Sequence, residues 1–292
     1  MNTVTTAEQT RDECGRDFRW PRKVEVFGVR YTPTTYDDAA RTIIDAAKRG
    51  IRGTVSCHAV HALVTFSGDP RLRAIANEFD MVTPDGQPVR WALNLLHGTR
   101  LADRVYGPEL MRRVCAQASA NDVPVYLYGG SPDVSADLPK RLNEMFPGLR
   151  VVGSESPPYR PLTSAENEQV VNRINTSGAG IVFIGLGCPK QDTFAFANRR
   201  HIRGVQICVG AAFDFHAGAK SMAPAWMQRA GLEWSYRLFR EPRRLWRRYL
   251  MTNSVFVTKL GWTLLRWPTV MRQRRSWRAA LDVTTVAVDG KP

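Results

Sequence analysis

Residues 180–192 read GIVFIGLGCPKQD, and the fold class follows from this stretch. Gly180–Ile184 is uncharged and rich in β-branched and aromatic residues, the composition of a strand buried on both faces. It runs into glycines and a proline, which stop a strand. Lys190, Gln191 and Asp192 then open a helical stretch. A strand that passes through a glycine-rich turn into a helix is half of a β–α unit. The same rhythm extends in both directions. Strands are expected at Val24–Val26, Gly53–Cys57, Met81–Thr83, Val123–Tyr128, Arg150–Val152 and Val205–Val209. Helices are expected at Tyr36–Lys48 (capped by Thr35 and ended by Gly50), from Ala59, and at Pro108–Ser119, Asp133–Phe146 and Ser164–Asn175. Strands alternating with helices imply an α/β fold, a largely parallel sheet with helices on both faces.

The rhythm stops after Gly218. From Pro224 to Trp267 no strand is evident and helical spacing dominates, interrupted by Pro242. The expected organisation is a flexible lead over 1–22, an α/β catalytic core over 23–218, a basic helical appendage over 219–270 and a flexible tail over 271–292. A chain of 292 residues is long enough for this.

Charge divides the chain at the same place. The formal net charge is +14. From Lys220 onward fifteen Lys and Arg face four acids, a net of +11, which leaves about +3 for everything before it. The densest part is Gly231–Tyr249, GLEWSYRLFREPRRLWRRY, with six arginines set among Trp234, Tyr236, Trp246 and Tyr249. A basic, aromatic helical tail on a nearly neutral body points to a phosphate-bearing partner: nucleic acid or an anionic lipid surface. Val255, Phe256, Leu260, Leu264 and Leu265 continue the apolar spacing, so the segment can also dock on the core. No run of about 18 uncharged apolar residues exists, so no membrane-spanning helix is expected. The first twenty residues lack the apolar run of a secretory signal. Five cysteines without a CxxC pair give neither a disulfide framework nor a zinc site, and fit a reducing compartment.

In an open parallel sheet, ligands lie beyond the carboxyl ends of the strands, and the informative motifs fall there. Asp85, in PDG, is a turn aspartate or a general base held in a cleft. Gly129–Gly130 and Gly185–Gly187 are packing turns or cradles that offer N–H groups to a diphosphate. Neither completes a dinucleotide fingerprint. Lys190 and Gln191 would sit on the first turn of a helix, within reach of phosphate or a sugar hydroxyl. His58 and His61 have the spacing of one helix face, but no third ligand accompanies them, so no metal site is expected. No two aspartates stand two apart, so a DxD metal motif is lacking. Cationic side chains would then have to neutralise a departing diphosphate, and the arginine-rich segment supplies them.

TPDGQPV, RVYGPELM, VYLYGG, IGLGCPKQD, GAAFDFHAG and APAWMQRAGLEWSYRLFREPRRLWRRY, in this order over about residues 24 to 250, resemble the WecG/TagA/CpsF glycosyltransferases. The resemblance implies a Rossmann-like core with a helical C-terminal appendage that closes the site and reaches the membrane. It implies an inverting transferase that moves a hexosyl or N-acetylhexosaminyl group from a UDP-sugar to a saccharide on a polyprenyl diphosphate. The place of action would be the inner, cytoplasmic face of the bacterial membrane, in exopolysaccharide and cell-envelope synthesis. No cofactor is implied. Asp85 matches the general base and Gln191 the glutamine of a PKQE motif. Ser56 and His58 fall where a Thr-x-Asn pair meets substrate, and Arg237, Arg240 and Arg247 are the arginines expected to meet diphosphate. Gly129, Gly130, Gly185, Gly187 and Lys190 complete the expected substrate contacts. The chain departs from the pattern at His58 (usually Asn), Asp192 (Glu), Glu109 (Asp), Ala211 and Ala212 (a glycine pair) and Met222 (often Arg), which leaves the sugar open.

Two other classes compete. A nucleic-acid-binding protein would use the basic tail but leave the PDG and GLGCPKQD loops without a purpose. A nicotinamide-dependent oxidoreductase would use the α/β rhythm but lacks the full fingerprint. The expected partners are therefore a UDP-sugar, a polyprenyl-diphosphate-linked acceptor and an anionic membrane surface, with no nucleic acid; a homo-oligomer stays open.

Overall fold

The computed structural model describes residues 18–224, 226–227 and 231–266. Most of the expected lead and all of the expected tail from residue 271 lie outside these residues.

A short antiparallel hairpin, β1 (Val24–Val26) and β2 (Val29–Tyr31), precedes the main sheet. The sheet contains β3 (Gly53–His58), β4 (Met81–Pro84), β5 (Val125–Gly129), β6 (Val151–Glu155), β7 (Ile181–Gly185) and β8 (Val205–Cys208). Its order is β4-β3-β8-β7-β5-β6 and every pairing is parallel. The fold is thus α/β and Rossmann-like, as expected from the alternation.

Helices cover both faces. One layer holds α2 (Val60–Gly68), α3 (Pro70–Glu78), α4 (Gln87–His97), α7 (Ser164–Thr176) and α8 (Lys190–Asn198), together with the hairpin. The other holds α1 (Tyr36–Lys48), α5 (Gly107–Ala120), α6 (Pro132–Met145) and α9 (Ala212–His216). Strand alternation feeds both cores: along β7, Ile181 and Phe183 enter one, and Val182 and Ile184 the other. All four are fully buried, which stabilises the fold by about 1.5–3 kcal/mol per side chain. Local chemistry agrees with the global plan. Thr35 Oγ1 accepts the Asp38 N–H at 3.2 Å at the start of α1, and Thr163 with Glu166 forms a reciprocal capping box on α7.

Three helices and a strand had not been anticipated: α3, α4, α9 and β2. In α4, Gly86 caps without a side chain and Pro88 lies in the first turn, so PDGQP looks like a loop although the helix begins inside it. Its buried face, Val89, Ala92, Leu93 and Leu96, has clear helical spacing. The signal was present and the turn residues masked it.

The appendage is helical, as its spacing implied. It forms α10 (Glu233–Arg240) and α11 (Pro242–Leu265). Pro242 begins α11 at a position where no N–H is needed. Helix α11 lies against α2. Leu245 is fully buried, Phe256 meets Phe27 edge-on at 5.7 Å, and Lys259 Nζ donates to Ser67 Oγ at 2.9 Å. Near its start, Lys220 Nζ lies 2.8 Å from Asp214 of α9 and 3.8 Å from Glu241.

Candidate active site

At the carboxyl end of the sheet, Asp85 follows directly from β4. Its N–H donates to the His58 carbonyl at 3.2 Å. Its Oδ2 accepts the Gly107 N–H at 2.9 Å. Residues 103–107 are laced onto the end of β4: Val105 N–H donates to Pro84 O at 2.9 Å, and the Tyr106 N–H donates to the Tyr36 hydroxyl at 3.1 Å. Gly107 belongs here because a Cβ would sit 3.3 Å from the Asp85 carboxylate and 3.2 Å from Val209 O. The Gly107 N–H therefore holds the carboxylate, while the main chain of Asp85 is tied to the end of β3.

Its charge balance is specific. Burial pushes the Asp85 carboxyl up to about 6. Arg104, the Gly107 N–H and Arg237 oppose that rise, while Glu233 adds to it. Arg104 and Glu233 form a buried ion pair, each side chain 9% exposed, and the Tyr106 hydroxyl bonds Glu233 as well. The Arg104 guanidinium lies over the Tyr106 ring at 4.4 Å. Burial acts against its charge, but Glu233 and Asp85 outweigh that and hold it cationic. Arg237, one turn beyond Glu233 on α10, lies 5.8 Å from the Phe215 ring centroid. Two guanidinium groups and two carboxylates thus meet where the core and the appendage touch. A carboxyl titrating near neutrality between cations can take a proton from a hydroxyl, and the cations can offset charge that develops on a leaving group.

Next to this cluster, Ser56, His58 and Asp192 form a buried knot. Ser56 Oγ donates to Asp192 Oδ1 at 2.6 Å and His58 Nε2 contacts the same oxygen at 2.9 Å. His58 stacks on Phe66 at 4.7 Å. All three residues are at most 1% exposed. The contact joins the end of β3 to the first turn of α8 and so places Gln191, which is buried with its Oε1 unpartnered among the described residues. His58 and His61 do not share a helix face: His58 ends β3 and His61 lies within α2. Strand pairing of His58 with Pro84 overrides the helical spacing.

A separate groove lies where β5 and β7 end. Helix α6 leaves β5 for one face and α8 leaves β7 for the other, so the two connections part at a topological switch point. Gly129 and Gly185 allow the strand ends to close together: a Cβ on Gly129 would lie 2.6 Å from the Gly185 carbonyl carbon, and one on Gly185 2.6 Å from the Phe213 ring. The space above them is a groove of about 1430 Å³. Gly130, Gly185, the starts of α6 and α8, and the segment 156–164 line it. Lys190 Nζ lies there 4.8 Å over the ring of the fully exposed Tyr159. Asp85 is not in its walls; three strand spacings, about 14 Å, separate β7 from β4.

The structure therefore brings Asp85 and Arg237 together, sets Ser56, His58 and Gln191 beside them, and gathers Gly130, Gly185 and Lys190 around the groove. Gly187 has open space about it. Arg240 and Arg247 do not reach Asp85. Arg240 is exposed and donates to the Tyr236 hydroxyl at 3.3 and 3.4 Å, and Arg247, also exposed, lies 5.2 Å from the Trp246 ring. Conversely, Arg104, Tyr106, Gly107 and Glu233 had not been singled out as site residues. The first three occur in the RVYGPELM run, which was the available signal. Among the described residues, no three His, Cys, Asp or Glu side chains are gathered to hold a metal, and no helix is long and apolar enough to cross a membrane.

The glycosyl transferase WecG/TagA/CpsF family model matches residues 24–269, which spans the sheet, the Asp85 cluster, the groove and the appendage. That match decides among the transferase, nucleic-acid and oxidoreductase readings: the chain belongs to the WecG/TagA/CpsF family and is a glycosyl transferase of cell-surface polysaccharide synthesis.

Proposed function

We propose that this enzyme is an inverting, metal-independent transferase that carries a hexosyl or N-acetylhexosaminyl group from a UDP-sugar to a saccharide on a polyprenyl diphosphate. The observation that carries this reading is Asp85, a backbone-held carboxyl with a pKa raised to about 6, flanked by Arg104 and Arg237. The acceptor hydroxyl gives its proton to Asp85 as its oxygen attacks the anomeric carbon. The bond to the UDP oxygen breaks on the opposite side, and configuration inverts. Arginine charge stabilises the departing diphosphate.

The nucleotide is assigned to the groove. Two helix N-termini open onto it, with Ser131 and Pro132 from α6 and Pro189 and Lys190 from α8 in its walls. Such ends favour phosphate, and Tyr159 offers a ring for a base. A UDP-sugar laid along the strand ends would then carry its sugar toward the β4 edge, past Gln191. Acceptor delivery is assigned to an anionic membrane on the inner, cytoplasmic side. Helix α11 supports this: Leu245 and Phe256 face the core, whereas Trp246, Leu250, Met251, Val257, Trp262 and Leu265 are exposed beside Arg243 and Arg247.

The test is a panel of UDP-sugars with a short-chain lipid-diphosphate-saccharide acceptor. Wild type should transfer one of them, and UDP should raise the melting temperature. Asp85→Asn should keep the UDP-induced shift and lose transfer by 10²–10⁴-fold. Lys190→Ala should weaken UDP by about tenfold, the value of one charge-assisted contact. Full transfer by Asp85→Asn would remove Asp85 from the mechanism.

A further inference from the structure

One of the places where the appendage touches the core is the loop that holds Asp85. Residues 103–107 have two jobs there. Gly107 donates to Asp85, and Arg104, three residues earlier, pairs with Glu233 in the first turn of α10. Tyr106 lies between these two residues in sequence, packs under Arg104 and bonds Glu233. Movement of α10 is therefore transmitted to the loop that fixes Asp85.

Energetics favour a latch. A buried ion pair adds little net stability, yet removing one partner strands the other charge in a poor solvent. With α10 docked, Glu233 and Arg104 are both buried, so each needs the other in that position. The pair satisfies both at once. The pairing is also specific: Arg104 is held on the Tyr106 ring and cannot turn to another carboxylate without losing that face.

We propose that Glu233 is a positioning residue: its ion pair with Arg104 seats the first appendage helix against the loop that holds Asp85, and so couples docking of the appendage to the geometry of the base. This rests on Asp85 being the base. The charged and titratable groups facing Asp85 are Arg104 on the 103–107 loop with Tyr106, Glu233 and Arg237 on α10, Tyr31 on β2, Tyr36 on α1 and Cys57 on β3. Glu233 raises the base. Its removal lowers the Asp85 pKa directly, and also releases Arg104 to act on Asp85 in the same direction.

The experiment uses the full chain as Glu233→Gln, Glu233→Asp and Arg104→Gln, with two readouts. Hydrogen exchange is followed over 233–240, and the pH profile of kcat/KM is measured with the active UDP-sugar. In Glu233→Gln, exchange in α10 should quicken at least tenfold. The value of kcat/KM should fall, and its acid limb should move down by about half a pH unit or more. Glu233→Asp should recover part of both effects, and Arg104→Gln should reproduce the exchange effect from the core side. Wild-type exchange in α10 of both Gln variants, or an acid limb unmoved in a folded Glu233→Gln, overturns the proposal. If wild type transfers no sugar from any UDP donor, the catalytic reading fails by itself, and the exchange data still decide whether the latch exists.

Discussion

Where β5 and β7 end, the groove is made of backbone: Gly129 and Gly185 pass at a distance no side chain would allow, and two helix N-termini open beside them. Where β4 ends, the site is made of charge: Asp85, Arg104, Glu233 and Arg237, drawn from two segments more than a hundred residues apart. The first is complete within the core. The second is complete only with α10 in place. On the proposed assignments, the nucleotide groove and the base therefore rest on different parts of the chain.

The largest effect that tests this contrast is Gly129→Ala. The new Cβ meets the backbone of Gly185 at 2.6–2.8 Å, at a φ of +132°. Backbone cannot rotate away, so a loss of about 3 kcal/mol is expected in urea titration. A loss below about 1 kcal/mol would show that the two strand ends are not locked together.

The charged region should behave in the opposite sense. The Asp85 pKa is raised in the folded state, so ionising it costs stability. That cost is absent below about pH 4, grows as pH rises and is fully present above about pH 6. Asp85→Asn should therefore be more stable than wild type by about 3 kcal/mol at pH 8 and equal to it at pH 4. Equal stability at both pH values would mean that Asp85 is well solvated.

The smallest effect concerns the outer face of α11. Replacing Trp246 or Leu250 by Ser should leave the fold intact and weaken partition onto anionic vesicles by roughly 1 kcal/mol each, about fivefold. Unchanged partition of both variants would move the lipid contact to another surface.

Much of the fold was legible because it is repetitive and locally encoded. Thr35, Asp38 and Gly50 mark both ends of α1, and the run around Gly180–Ile184 matches β7 to within a residue. PDG marked Asp85 only as a residue at a strand end, turn aspartate or base; the choice of base came from the family resemblance. What stayed hidden was of two kinds. Helix α3 has a clear start in Asp69, which caps Arg71 and Leu72, but only Ala76 of its own residues is fully buried, so apolar periodicity is faint. The Arg104–Glu233 pair has no local signature at all. The partners are separated by 129 positions, and each alone reads as a solvated charge. Hydrophobic period and capping report what a segment does with its neighbours in sequence; a buried ion pair between segments is written only in three dimensions.

Helix α11 is fastened at both ends of its run, by Lys220 between Asp214 and Glu241 at one end and by Phe256 and Lys259 further along. Two separated contacts along a rod of about 36 Å limit how far it can swivel. Any flat support that receives its exposed tryptophans therefore stands at a nearly constant height from Asp85. On the proposed membrane docking, that height would select acceptors by how far their reactive hydroxyl projects from the support.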